Sequence, residues 1–342
     1  MKSKRVTSQD VANLAGVSRT TVSMVLNEVK GVSISSETRQ RVRDAAKNLG
    51  YVPNATAQAL ATRRAKAIGL VMTRSPHHIA SDTFLPQILG GLLDVIRQHN
   101  FRLLIESVEE EHQDRVYLEL AQAKHIDGMI LLTPRIDDNG LKKLEEVGVP
   151  TVLMGQLNGS NLYSVDVDNR LAANKATQYL IDLGHTRIAC IANAHSLYSA
   201  APDRVLGYKD ALLSAGIPPD DKLIKHADFN PQSGFDCMRS LLSSKEEFSA
   251  VFVASDNVAM GAKSALREAN LRIPDDISII GFDDIPWAAY SDPPLTTVRL
   301  PAQELASEAC LLLLDLVKGS APENRNVVLD TELVIRQSCR KY

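Results

Sequence analysis

From Ala67 onward the chain repeats one alternation: a short, continuous apolar run, then a longer segment with helical spacing. The runs are AIGLVMT (67–73), RLLIESV (102–108), GMILLT (128–133), TVLMG (151–155), RIACIA (187–192), LIKHADF (223–229), AVFVAS (250–255) and ISIIGFDD (277–284). Between most of them stand stretches such as LPQILGGLLDVIRQHN, RVYLELAQAK, NRLAANKATQYLIDLG, RVLGYKDALLSAG and VAMGAKSALREAN. A strand that is apolar on both faces has to be covered on both faces, and intervening helices supply the cover. The expected fold is therefore α/β, and eight runs are enough for two doubly wound parallel sheets. GMILLTP and AVFVASD, each followed by a helical segment, hint at two related halves.

The first 66 residues lack this alternation and differ in charge. They hold twelve Lys/Arg against four Asp/Glu, a net +8, whereas the remainder holds 26 against 37, a net −11. Such a split points to a basic module that meets a polyanion, joined to an acidic body with another task. Thr7 with Asp10 three residues later has capping-box spacing and opens a helix in which Val11, Leu14 and Ala15 share a face; Gly16 ends it. Ser18 caps a second helix from Arg19 to Leu26, with Val22, Val25 and Leu26 inward and Val17 sealing the corner. Two short helices across a tight glycine turn make a helix-turn-helix. A third helix follows Ser35 and Ser36, with Val42, Ala45, Ala46 and Leu49 inward and Gly50 beyond its end.

Arg19, Thr20, Ser23 and Met24 are left on the outer face of the second helix. Short polar side chains let a helix approach the major groove closely, Arg19 can reach guanine or phosphate, and Met24 can meet a thymine methyl. After Pro53 and Asn54, the residues from Ala55 to Ala61 favour a helix but are too few to hold one unaided in water. Leu60, an aliphatic residue in a basic linker, is of the kind that wedges between base steps in a minor groove.

VTSQDVANLAGVSRTTVSMVLN, then Val32-Ser33, TRQRV, LGYVPN and the Ala/Leu linker resemble the DNA-binding headpiece and hinge of the lactose/galactose repressor (LacI/GalR) family. The resemblance implies a three-helix headpiece over residues 1–53, a hinge helix within 54–66 and an effector-binding, dimerising body over 67–342. It also implies that Thr7, Ser18, Arg19, Thr20, Ser23, Met24, Asn27, Asn54, Ala57 and Leu60 meet DNA, the last two at the minor groove. Many members carry arginine where this chain has Met24, so the operator half-site is expected to differ there.

In open parallel sheets, ligands sit beyond the carboxyl ends of the strands. Those ends supply Thr73, Asp82 with Phe84, Phe229, Ser255 with Asp256, and Asp283 with Asp284; Arg204 adds a bidentate donor. Arginine and aspartate beside aromatic faces suit a polyol, whose hydroxyls take the forked bonds and whose C–H surfaces take the rings. DLGHTRIACIA, DRVLGYKDAL, ASDNVAMGAKSAL, RIPDDISIIGFDDIPWAAYSDPPLTTVR and TELVIRQSC are similar to the same family's effector core. That core resembles the two-lobed periplasmic sugar-binding proteins. It implies crossings between lobes near Ser164, Pro293 and Asn324, giving an N-lobe of 67–164 and 294–323 and a C-lobe of 165–293 and 324–342. The effector contacts then fall on Thr73, Asp82, Phe84, Arg204, Phe229, Ser255, Asp256 and Asp283. Gly155 replaces a polar contact of some members; the effector is expected to be a sugar, with a purine or nucleoside as the alternative. Trp287 is expected to pack near the lobe junction.

Other functions fit less well. The chain has no GxGxxG, GxxxxGK[ST], GxSxG or HExxH, so an α/β enzyme is disfavoured. No metal or other cofactor is expected: Cys190, Cys237, Cys310 and Cys339 are far apart and read as reduced thiols, and His77-His78 read as solvated. A transport binding protein would need an export signal, and MKSKRVTSQD lacks an apolar core. No run reaches the roughly 20 apolar residues of a membrane span. A cytoplasmic location without membrane contact is therefore expected. One recognition helix covers only a few base pairs, so a homodimer on a near-palindromic duplex is expected, its interface including LPQILGGLLDVIRQ. No leucine heptads follow IRQSCRKY, so a tetramer-forming tail is not expected.

Overall fold

A computed structural model describes residues 6–27, 31–52, 64–74, 76–108, 113–244 and 246–342. The chain divides into two compact units, one of residues 1–66 together with Lys124–Ile126 and one of Ala67–Ala123 with Asp127–Tyr342. In the first, α1 (Ser8–Ala15), α2 (Arg19–Leu26) and α3 (Ser36–Asn48) enclose a core of Val11, Ala12, Ala15, Val22, Val25, Val42, Ala45 and Ala46. The capping box is formed: Asp10 N–H donates to the Thr7 hydroxyl at 3.3 Å, and Thr7 N–H donates to the Asp10 carboxylate at 2.8 Å. Gly16, at φ 66°, ends α1 in a left-handed conformation that carries no penalty without a Cβ. The expected inward face of α1 shifts by a fraction of a turn: Ala12 is buried and Leu14 is 55% exposed. Small alanines let the three short helices approach closely enough that Leu14 has no room inside.

The second unit holds two six-stranded sheets. One has the order β11–β5–β4–β3–β1–β2, from β1 (Ala67–Met72), β2 (Arg102–Ser107), β3 (Gly128–Leu132), β4 (Thr151–Met154), β5 (Tyr163–Val167) and β11 (Asn326–Leu329). The other has the order β12–β10–β9–β8–β6–β7, from β6 (Ile188–Ala192), β7 (Ile224–His226), β8 (Ala250–Val253), β9 (Ser278–Asp283), β10 (Thr296–Arg299) and β12 (Glu332–Val334). All neighbours pair in parallel except β10 with β12. The first sheet carries α4 (Pro76–Ala80), α5 (Leu85–Gln98), α6 (Gln113–Gln122), α7 (Asn139–Val147) and α12 (Ala302–Lys318). The second carries α8 (Asn169–Asp182), α9 (Ala200–Ser214), α10 (Pro231–Ser243) and α11 (Asp256–Glu268).

Membership in the sheets places the three crossings at Asp168, at Leu300–Pro301 and at Asp330–Thr331, each several residues after the expected Ser164, Pro293 and Asn324. The shift has one cause. YSVDV, TTVR, NVVL and ELV are short and mix polar with apolar residues, so they do not stand out as apolar runs, yet each adds a strand beside a crossing. Trp287 is 63% exposed rather than packed at the lobe junction, because the short 3-10 turn Pro286–Tyr290 buries Ala288 and turns the indole outward. Inside the N-lobe, α5 presses on α12 so closely that a Cβ on Gly91 would lie 2.2 Å from the Gln303 carbonyl oxygen.

Candidate functional site

Two sites are separable. On the headpiece, the Ser18 hydroxyl accepts from Thr21 N–H at 3.0 Å and fixes the start of α2. Val22 and Val25 point inward, which leaves Arg19, Thr20 and Ser23 exposed and Met24 half-exposed on the other side. Arg19 Nε donates to the Ser8 hydroxyl at 3.0 Å, and the Asn27 amide donates to the Ser23 hydroxyl at 3.1 Å. These two bonds tie the outer face of α2 to α1 and to its own last turn. Thr7 and Ser18 serve as caps in the free protein. Asn54, Ala57 and Leu60 lie outside the described residues.

The second site lies where the carboxyl ends of the two sheets face each other. An inner cavity of about 80 Å³ is lined by Phe84, Asp166, Asn193, Tyr198, Arg204 and Phe229, with Thr133 and Gly155 at its edge. Arg204 comes from the first turns of α9 and is only 7% exposed. Its Nε donates to the Asn169 side-chain oxygen at 2.9 Å and its Nη1 to the Ala254 carbonyl at 2.7 Å. The guanidinium lies 3.9 Å from the centre of the Phe282 ring and 3.6 Å from the Asp283 carboxylate. Burial pushes the Asp283 carboxyl up to about 6, opposed by Arg204 and by a bond from Ser255. Three non-glycine residues at this cleft sit at positive φ: Thr133 at 54°, Phe229 at 59° and Asp283 at 119°. Such strain persists where surrounding contacts fix the chain, and it concentrates at functional clefts.

Of the eight expected effector residues, Phe84, Arg204 and Phe229 line the cavity, while Asp283 and Ser255 stand behind Arg204. Asp82 does other work: one oxygen accepts from the N–H groups of Phe84 and Leu85 at the start of α5, and the other meets Arg74 at 2.7 Å. Thr73 is 1% exposed, with a hydroxyl that has no partner and a carbonyl that accepts from the Tyr198 hydroxyl. Asp256 is a structural residue. It is fully buried, one oxygen accepts from Thr297 at 2.7 Å and the other from Ile285 N–H at 3.0 Å, and nothing of it faces the cleft.

Sequence patterning does not single out Asp166, Asn169, Asn193 or Tyr198. Asp166 accepts from Gln156 N–H, Val167 N–H and the Asn169 amide at 3.0, 2.8 and 3.1 Å, and burial pushes its carboxyl up to about 6. Asn193 is 6% exposed and its side-chain oxygen has no partner. The usable signal is position: Asn193 directly follows the RIACIA strand, and Asp166 is the penultimate residue of the alternating YSVDV. His78 is half-buried, and its ring bonds Asp228 of the other lobe at 2.7 Å. Asn257 also joins the lobes, donating to the carbonyls of Ser81 at 3.0 Å and Phe229 at 2.8 Å.

The pattern of bacterial regulatory proteins of the lacI family matches residues 7–54, and that of a periplasmic binding protein-like domain matches residues 177–339. The HTH-type transcriptional regulator CelR of Thermobifida fusca is 37% identical over 340 residues, 98% of each chain. The chain belongs to the lacI family of bacterial regulatory proteins. Among solved structures, a transcriptional regulator CelR–cellobiose complex matches 98% of this chain and 100% of its own with a TM-score of 0.76 and 36% identity. The lac repressor dimer bound to operator and the anti-inducer ONPF matches 98% and 100% with a TM-score of 0.84 and 29% identity. These lacI-family relatives are transcriptional regulators, not enzymes, and no helix among the described residues is long and apolar enough to cross a membrane.

Proposed function

We propose that this lacI-family regulator is a cytoplasmic homodimeric repressor whose affinity for a near-palindromic duplex operator is set by a neutral sugar between the lobes. The observation that carries the reading is the inner cavity, where the buried Arg204, the Asp166 carboxyl and the unpartnered Asn193 oxygen converge. A hydroxyl can donate to that oxygen and to Asp166, and accept from Arg204. The relative solved with cellobiose supports a sugar as the class.

A purine or nucleoside is the second reading, and Phe229 weighs against it. One face of its ring is covered by the Arg74 guanidinium at 3.8 Å, and Tyr198 meets it edge-on at 4.8 Å. A flat base needs open aromatic faces; a sugar needs only one apolar patch.

On the DNA side, the outer face of α2 would read the major groove, with Arg19 and Thr20 at base edges and Met24 at a thymine methyl. Asn54, Ala57 and Leu60 would engage the minor groove through the hinge. Two subunits would be needed, since one α2 spans too few base pairs for useful affinity. Their interface would include the outer edge of α5, where Leu93 is 44% exposed. Effector binding would change the closure of the lobes and so bias the marginal hinge, a coupling of about 1–3 kcal/mol. Coupling of this kind is reciprocal. Calorimetric titration of the full-length protein with sugar, with and without its operator, should give constants differing by the same factor as the operator affinities; identical constants would remove the allosteric claim.

A further inference from the structure

A second cavity, of about 660 Å³, abuts the inner one. Its N-lobe wall comes from residues 135–138, from α7 and from the loop 156–160, and its C-lobe wall from the start of α9. The two cavities share Ser199, and the Gly155–Gln156 peptide has one residue in each. On α9, Ser199, Asp203 and Leu206 lie on one face at helical spacing and look into the outer cavity, while Arg204 turns into the inner one. One helix therefore serves both.

The sizes differ in a way that matters. Sites for small molecules have volumes of about 300–1,000 Å³; the outer cavity falls in that range and the inner one does not, so a ligand held at Arg204 has to extend past Ser199 into the outer cavity. The lining is mixed. Ile136 from the N-lobe and Leu206 from the C-lobe both line the cavity and are 59% and 42% exposed. Gln156, Asn158 and Asp203 line the same cavity. Asp203 is half-buried, and burial raises its carboxyl above the usual range. Arg135 is already paired with Asp137 at 2.9 Å, so the lining offers Lys142 against Asp203, Glu145 and Glu146. That balance disfavours a phosphorylated ligand.

We infer that the outer cavity is a subsite for the second unit of a neutral oligosaccharide whose first unit reaches into the inner cavity at Arg204, so the effector is a disaccharide or longer. Ile136 and Leu206 take the C–H faces of that unit, and Gln156, Asn158 and Asp203 take its hydroxyls. The inference rests on the sugar reading above.

The test is calorimetry on the full-length protein with glucose, galactose, cellobiose, maltose, lactose, cellotriose and maltotriose, with adenosine and guanosine alongside. At least one disaccharide should bind tenfold or more tighter than the monosaccharide at its end. In Gln156→Ala and in Leu206→Ser, both at exposed positions that leave the cores intact, that gain should shrink at least fivefold while monosaccharide affinity stays within twofold. Disaccharides no tighter than monosaccharides, or variants that weaken both alike, would overturn the subsite and leave the sugar reading standing. Binding of nucleosides and of no sugar would overturn both.

Discussion

Replacing Arg204 by Met tests the centre of the proposed effector site. Methionine can keep the apolar stem against Phe282, where the guanidinium now lies at 3.9 Å, but it cannot donate. The change strands the Asn169 oxygen and the Ala254 carbonyl, and it leaves Asp283, 8% exposed, without the cation 3.6 Å away. Removing one partner from a buried charge pair costs about 3–5 kcal/mol, a large part of the 5–15 kcal/mol that holds a domain together. The pH dependence follows from the sign of the Asp283 shift. Its folded-state carboxyl is raised from 3.8 to about 6, so ionising it costs stability that is intact below the unfolded value and lost as pH rises through the folded one. Without Arg204 the carboxyl rises further, so the loss deepens and extends to higher pH. Urea unfolding followed by circular dichroism should show the variant penalty growing between about pH 5 and about pH 7.5. Adding Asp283→Asn should recover at least about 1 kcal/mol at the higher pH, the coupling expected of residues in contact. A penalty below about 1 kcal/mol, or one independent of pH, would refute the reasoning.

Asp256 gives a contrasting outcome. Its buried carboxyl is held well above the ordinary range by burial and by Asp283, so Asp256→Asn, which can still accept from Ile285 N–H, should shift stability by less than about 1 kcal/mol in urea unfolding, whereas Asp256→Ala, which abandons both Ile285 and Thr297, should cost about 2–4 kcal/mol. At the headpiece, Met24→Arg should move the preferred base at one half-site position toward guanine by about 1–3 kcal/mol, read by selection from a randomised duplex pool. An unchanged preference would mean that Met24 does not face a base edge.

The parts of the molecule legible in the sequence are those governed by one strong local pattern. Continuous apolar runs marked eight strands, and the Thr7–Asp10 and Ser18 caps marked the helix-turn-helix, because a short helix depends on satisfying its first N–H groups. Where local signals compete, the sequence says less. Asp82, Asp256 and Asp283 all close strands or open helices, and nothing local separates the helix cap, the buried structural acid and the partner of Arg204. That separation comes from residues distant in the chain: Arg74, Thr297 and Arg204 respectively. Likewise β5, β10, β11 and β12 are stabilised by sheets already built rather than by their own apolar content.

Those late-recognised strands matter because they end at the crossings between lobes. Asp166, the penultimate residue of β5, holds together the Gln156 amide of the N-lobe loop, the Val167 amide before the crossing and the Asn169 side chain just after it. Asn169 in turn accepts from Arg204. The cation that faces the inner cavity is thus two hydrogen-bonded steps from the backbone on which one lobe turns into the other. On the effector reading proposed above, a ligand that redirects Arg204 would act on the crossing through these two bonds, with no long relay through the sheets. A polar network of this kind is stable only when every member is satisfied, so a disturbance at one end has to be answered at the other.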